Sequence, residues 1–417
     1  MLSNSKKHEG VLWTVDFILV CLTVLFTGIS MRILDANLAP FASTVWESRT
    51  LGGYLTSVFN IGSIITAFFA GKLVDIRGRR NCLIFGFLLC GVPYFAMALW
   101  QTPTVGLAVR FIQGVGKGIT AVAAASIVSD VIPRSRMNEG MGMYNLPGTL
   151  TFAFGPMLGL VLADTSGYGV VFLVCAACYV ISAGMSINIR YEKKASARRF
   201  EEEEVSTSSQ KEYRGLWKLI EKKAVLYSIN FTVFFASYAC VLVFITVYAQ
   251  ELLHLNSTQI GIFYMVAAAT MFLFRITCSK LADIYGVLCL IIPGHLCIMV
   301  MLIILAYFSS DNYMLFLVAG GLYGVGNAAV MPAINAAVVV DSPHGRAGVA
   351  NATFYFMMDF GILFASAIFG VLIDAAVNPM DGYRMMFVIS FVICVASLVM
   401  AVLLLNEKAR ARRRASN

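Results

Sequence analysis

Long apolar runs alternate along this chain with short polar stretches, and each run is long enough to cross a bilayer as a helix, which takes roughly 20 apolar residues. On that ruler the first six runs fall at approximately 11–34, 51–71, 82–100, 104–130, 140–163 and 169–190. The second six fall at approximately 224–249, 258–281, 286–308, 313–340, 346–374 and 383–405. The polar stretch from Tyr191 to Lys223 differs from the others. It contains Glu201-Glu202-Glu203-Glu204 followed by Ser206, Thr207, Ser208 and Ser209, a composition that cannot bury a core. The pattern therefore predicts an all-α polytopic membrane protein. Residues 1–190 form one six-helix half, 191–223 a linker, and 224–417 a second six-helix half.

The two halves repeat one another. Gly71-Lys72-Leu73-Val74-Asp75-Ile76-Arg77-Gly78-Arg79-Arg80 closes the second run, and Ser279-Lys280-Leu281-Ala282-Asp283-Ile284-Tyr285-Gly286 closes the eighth, with Lys, Leu, Asp, Ile and Gly in matching places. Gly114-Val115-Gly116 returns as Gly324-Val325-Gly326. Asp130 ahead of Pro133 and Arg136 returns as Asp341 ahead of Pro343 and Arg346. The offsets stay between 208 and 211 residues, which predicts two pseudo-symmetric bundles related by an axis along the membrane normal.

Composition agrees, with 59% hydrophobic and 13% charged residues, against about 25% charged in a soluble domain. The net charge of +8 is a topology signal rather than a nucleic-acid footprint. Of 31 Lys and Arg, four lie inside spans (Arg32, Arg110, Lys117, Arg275) and only Arg49 and Arg384 fall in the odd-numbered loops; the rest flank the other ends of the helices. By the positive-inside rule both termini and the linker are expected in the cytoplasm, and the plasma membrane is the expected location. Arg412-Arg413-Arg414 fits the same signal, with recruitment of anionic lipid as the alternative. The first run, preceded by Lys6 and Lys7, is too long for a signal-peptide core and is expected to be a retained helix. The ten cysteines lie in or beside apolar runs, so no disulfide framework is expected, and Cys175 and Cys178 sit mid-span as packing residues.

The loop Gly71 to Arg80 resembles the G-x-L-a-D-r-x-G-r-k signature between helices 2 and 3 of the major facilitator superfamily, with Gly71, Leu73, Asp75, Gly78, Arg79 and Arg80 on the pattern and Ile76 off it. The resemblance implies alternating access, in which two six-helix bundles rock about a central site. It implies that Asp75 meets the N-terminus of helix 11 near Gly345 to Gly348, where free amides and the helix dipole favour a carboxylate. Asp283, with Gly286, does the same for helix 5. Arg79 pairs with Asp130, and Gly71 leaves room for closure. The alternative is that these are topology charges. Arg110-Phe111-Ile112-Gln113-Gly114 resembles the family's segment 4 motif, where the arginine is tied to proton coupling; a structural pair with helix 1 is the other reading of Arg110. Gly155-Pro156-Met157-Leu158-Gly159 resembles the G-P-x-x-G motif of drug:proton antiporters and implies a bend at the bundle interface. Thr151 and Leu160 replace its outer glycines, and an ordinary kink is the alternative.

Charges inside spans are costly and mark solute or ion pathways. Arg32 and Asp35 share one helical face. Lys117 either attracts an anionic group or is neutralised by an acid elsewhere. Asp359, near the centre of segment 11, is the first candidate for a proton site, because hydrocarbon favours the neutral form of an unpaired carboxylate; an Arg275–Asp359 pair holding the second half together is the alternative. His295 is expected outside the cavity. Tyr238, Phe235, Tyr248, Tyr355 and Phe356 are expected to line it, or else to pack. No nucleotide-binding loop, metal cluster or nucleophile constellation is present in the sequence, so no cofactor, no metal and no enzyme activity are expected. The function predicted is proton-coupled export of a small organic molecule or drug by a monomer. Uptake of an organic anion or sugar is the rival within transport, and a non-transporting sensor the rival outside it.

Overall fold

The computed structural model describes residues 12–132, 137–189, 222–285, 288–308, 312–340 and 347–416. Among the described residues twelve helices follow one another. They are α1 (Val15–Val45), α2 (Arg49–Arg77), α3 (Arg79–Leu99), α4 (Pro103–Val131), α5 (137–166), α6 (168–186), α7 (Lys222–Glu251), α8 (Ser257–Tyr285), α9 (Leu288–Tyr307), α10 (Tyr313–Val340), α11 (Ala347–Ala375) and α12 (Pro379–Ser416). Ten helical stretches among the described residues are long and apolar enough to cross a membrane; one of them, Leu150–Ser186, runs from within α5 to the end of α6. Gly167, at φ 80°, divides that pair, a backbone conformation open to glycine at little cost.

Local chemistry fixes the helix starts. Thr14 and Ser48 cap α1 and α2 by accepting from the amides of Phe17 and Leu51. Asn256 and Gln259 cap α8 reciprocally, each side chain accepting from the other's backbone N–H at 2.9 and 3.0 Å. Helix α1 runs past the predicted end at residue 34, through Pro40, to Val45. Packing explains the extension: Phe41 meets Tyr168 and Phe172 edge-on at 5.2 and 5.1 Å, so burial sustains the turn that proline weakens.

The sequence repeat is also a repeat of contacts. Gly114 of α4 lies against the Phe59 carbonyl of α2, and Gly324 of α10 lies against the Ala267 carbonyl of α8. Across the two halves, Gly53 of α2 lies against the Ser366 carbonyl of α11, and Gly261 of α8 lies against Met157 of α5. Each pair maps onto the other by the same shift of 208 to 210 residues. The halves therefore meet through two equivalent seams, α2 on α11 and α8 on α5. A side chain larger than hydrogen at Gly114 or Gly324 forces backbones apart. Gly114→Val and Gly324→Val should each destabilise the folded protein by about 1–3 kcal/mol, read as an earlier loss of monodisperse protein on heating in detergent. Gly184→Val, where an added Cβ meets nothing within 4 Å, should behave like the parent.

Candidate functional site

A band of charged and aromatic side chains crosses the protein near the middle of its helices. Lys117, Arg32, Tyr238, Asp359 and Asn327 each lie on the order of 20 Å from the helix end that carries the 1–2 and 7–8 connections, at a rise of 1.5 Å per residue. Asp359 is the centre of the band. Its carboxylate accepts from Lys117 Nζ at 3.0 and 3.2 Å and from Ser63 Oγ at 3.3 Å, and the residue is only 8% exposed. Lys117 comes from α4 and Ser63 from α2, so the acid of α11 is held across the boundary between the halves. The alternative of an Arg275–Asp359 pair is thereby corrected: Lys117 lies 242 residues away in sequence and takes the carboxylate.

Arg110 is 4% exposed and donates to the Leu55 carbonyl and to Gln113 Oε1, both at 3.2 Å, with its guanidinium over the Phe59 ring at 4.1 Å. Its hydrogen bond to Leu55 ties α4 to α2. Arg32 and Asp35 do pair, at 3.0 Å, and keep 29% and 26% of their side chains accessible. Charged groups at this depth avoid lipid, so that exposure marks an aqueous space. Arg275 forms no ion pair among the described residues, and its buried Nε has no hydrogen-bond partner.

Beside these charges stands an aromatic wall. Tyr238 of α7 stacks on Tyr323 of α10 at 4.6 Å, and Tyr323 stacks on Phe152 of α5 at 6.2 Å. Tyr264 of α8 meets Phe152 edge-on, and Asn327 Nδ2 donates to the Tyr238 hydroxyl at 2.8 Å. Of the expected lining residues, Tyr238 belongs here, with Phe235 beside it at 5.0 Å. Tyr248 does not. It donates to the Leu305 carbonyl and packs on Tyr383 and Phe387, which places it in the packing among α7, α9 and α12. Phe356 contacts Phe360 along α11, and the Tyr355 side chain lies outside the described residues. His295 is buried between Ser397 and Phe234, away from the band.

Gly155, Pro156 and Gly159 act within the first half. Gly155 seats against Arg32 and Gly159 against Ile33 and Asn37, so these glycines dock α5 on α1, while Met157 between them meets Gly261 of α8 at the seam between the halves; small residues at the α1 face let the two backbones approach.

In the 2–3 loop, Gly78 takes φ 85° and ψ 145° and joins α2 to α3 in a conformation that only glycine adopts cheaply. Arg79 donates to the Ser126 carbonyl of α4 at 2.8 Å, and Arg80 donates to the Ile187 carbonyl beyond α6. An added Cβ at Gly71 meets nothing within 4 Å. The side chains of Asp75, Asp130 and Asp283, and Gly286 altogether, lie outside the described residues.

A second charged group went unnoticed in the sequence. At the end carrying the 1–2, 7–8 and 11–12 connections, Arg49 reaches Glu251 at 2.8 Å and Asp374 at 3.5 Å. The Asp374 carboxylate also accepts from the amides of Arg49 and Thr50 and from Ser48 Oγ, at 3.1, 2.7 and 3.1 Å, so α11 caps the start of α2. Ser57 continues the seam by donating to the Leu363 carbonyl at 2.8 Å beside Ser366.

A helical membrane protein in which two repeated halves share a mid-depth ion pair has the build of a transporter. A profile of the Major Facilitator Superfamily matches residues 20–366, and the chain belongs to that family. It is 24% identical over 408 residues to an uncharacterised MFS-type transporter of Methanocaldococcus jannaschii, covering 95% of this chain and 98% of that one. It is 24% identical over 400 residues to the multidrug resistance protein MdtG of Escherichia coli, covering 93% and 94%. Among solved structures, a variant of the nucleoside transporter NupG superposes with a TM-score of 0.75 at 13% identity over 92% of this chain and 99% of that one. A D-xylose-proton symporter does so with 0.74 at 13% identity over 93% and 96%. The chain is thus a membrane-embedded secondary transporter of a small solute and not an enzyme.

Proposed function

We propose that the protein exports a small organic molecule across the plasma membrane in exchange for protons, with Asp359 as the exchanging group. The Lys117–Asp359 pair carries this reading, because it joins the two halves through a group that can lose its charge. Protonating Asp359 removes the attraction that holds α11 to α4 and leaves Lys117 with an uncompensated charge, so the seam is stable only while the proton is absent. With residues 1–190 and 224–417 as the rocking bundles and the termini in the cytoplasm, the Arg49 latch closes the outer end. The arrangement described here is then the one that takes solute from the cytoplasm. Gly71, Asp75, Gly78, Arg79, Arg80, Asp130, Asp283 and Gly286 form the opposite gate. The full-length relatedness to MdtG supports export, and a monomer suffices for every step.

Proteoliposomes with an imposed pH gradient test the proposal. Solute driven against its own gradient while protons run the other way is the expected result. Solute that moves in the same direction as the protons replaces export with uptake, and no movement under any gradient favours a sensor.

A further inference from the structure

One ring on α2 is shared by two of the cations inside the membrane. The Arg110 guanidinium lies over the face of Phe59 at 4.1 Å, and Lys117 Nζ lies over the same ring at 5.3 Å. The two cations stand seven residues apart on α4, about 10 Å along one side of the helix, and a single buried side chain reaches both. Phe59 also sits one turn before Ser63, the residue of α2 that donates to Asp359. The cations are held differently. Arg110 is fixed by the Leu55 carbonyl and Gln113 Oε1, so it anchors the ring. Lys117 has Asp359 at 3.0 Å as its one hydrogen-bond acceptor among the described residues. The other helices packed on α11 bring no further charge to this depth. Residues 50–71 of α2, 224–250 of α7, 313–340 of α10 and 385–406 of α12 contain no charged residue and no histidine. When Asp359 takes a proton, Lys117 therefore loses its counter-charge, and the face of Phe59 is what remains beside the ammonium. An aromatic face attracts a cation through its quadrupole, more strongly where water is scarce.

Resting on the reading of Asp359 as the exchanging group, we infer that Phe59 is a positioning residue for the proton exchange. Its ring is the second seat of the Lys117 ammonium, taken up when the acid is neutral and left when the ion pair re-forms. Phe59 and Lys117 both belong to the first half, so the seat stays with the lysine when α11 is released. The halves can then part without stranding a bare cation in the membrane, the outcome that makes a broken buried pair so costly.

Fluorine tests the inference, because it weakens the negative face of the ring while leaving its packing nearly unchanged. Mono-, di- and trifluorinated phenylalanine are placed at position 59 of the full-length protein in nanodiscs. Protonation of Asp359 is followed against pH by the infrared carbonyl band that Asp359→Asn removes. A weaker ring disfavours the state in which Lys117 depends on it, so the midpoint should move to lower pH with each fluorine, by on the order of half a pH unit for the full series. Phe59→Leu, which has no aromatic face, should move it at least as far. A midpoint that stays put across the fluorine series overturns the inference. Transport in the same variants separates this from the export reading. Proton-driven export that persists with an unmoved midpoint leaves export standing without Phe59, whereas a moved midpoint in a protein that transports nothing under any gradient supports the role of Phe59 and sinks export.

Discussion

Asp359→Asn should abolish gradient-driven accumulation, reducing it at least tenfold, while exchange of labelled for unlabelled solute should stay within about twofold of the parent. Asparagine keeps the size of the side chain and stands in for the protonated acid, so α11 and α4 are held as loosely as in the proton-loaded carrier; what it cannot do is take up and release a proton. Lys117→Met is expected to do more damage than Asp359→Asn. It leaves a carboxylate at the seam with Ser63 as its remaining partner from the first half, and removing one member of such a pair costs more than removing both. The double variant should therefore regain exchange that Lys117→Met alone has lost. Accumulation that remains proton-driven in Asp359→Asn places the exchanging group elsewhere and ends the assignment.

The second large effect is expected at Arg49. Its two ion pairs are each about a quarter exposed, so each contributes about 0.5–1 kcal/mol after screening by solvent. Losing both in Arg49→Gln should raise the fraction open at that end by a factor of about 5–30, the ratio that one to two kcal/mol sets. A cysteine introduced at Ser366, which is buried at the seam beside Ser57, reports the change in a protein otherwise free of cysteine. A membrane-impermeant maleimide added outside should label it correspondingly faster in Arg49→Gln. Salt separates the two kinds of contact. At high ionic strength the Arg49 ion pairs are screened, so parent and Arg49→Gln should converge. Asp374→Asn should remain distinct, because that carboxylate also accepts backbone amides at the start of α2. Labelling that is indifferent to both substitutions shows that this end is not a latch.

Several of these features were legible in the sequence for a common reason. Gly114 and Gly324 are readable because a backbone contact tolerates one residue only, and duplication prints it twice. Asp359 stands out because a carboxylate in the middle of an apolar run is expensive wherever it points. Its partner was not readable in the same way: Lys117 and Arg275 are both cations in spans, and residue spacing along separate helices does not say which faces meet. Phe152, Tyr264, Tyr323 and Asn327 were missed because aromatic and amide residues in spans are common. One clue was available for Asn327, which occupies the place in the second half that Lys117 occupies in the first, by the same offset as Gly114 and Gly324. Glu251 and Asp374 were passed over because acids near helix ends carry little topological information. Arg49 itself was the better clue, as a basic residue in a loop where the charge rule disfavours one. The side chains of Asp75, Asp130 and Asp283 lie outside the described residues, so the gate implied by their motif stays a proposal.

The polar face of α2 has a consequence for how the protein is made. Thr56, Ser57, Asn60, Ser63 and Thr66 sit within a single membrane helix, and Ser57 and Ser63 find their partners in α11. The ribosome finishes α11 some 300 residues after α2, so these hydroxyls enter the membrane long before the groups that will satisfy them exist. In the interval α2 depends on its own backbone carbonyls, as Ser57 and Thr66 show by donating also to Gly53 and Gly62 at 3.1 and 2.8 Å, and on its earlier neighbours. A chain halted before α11 should therefore hold α2 as a half-finished surface, one that membrane quality control can recognise and that the arrival of the second half conceals.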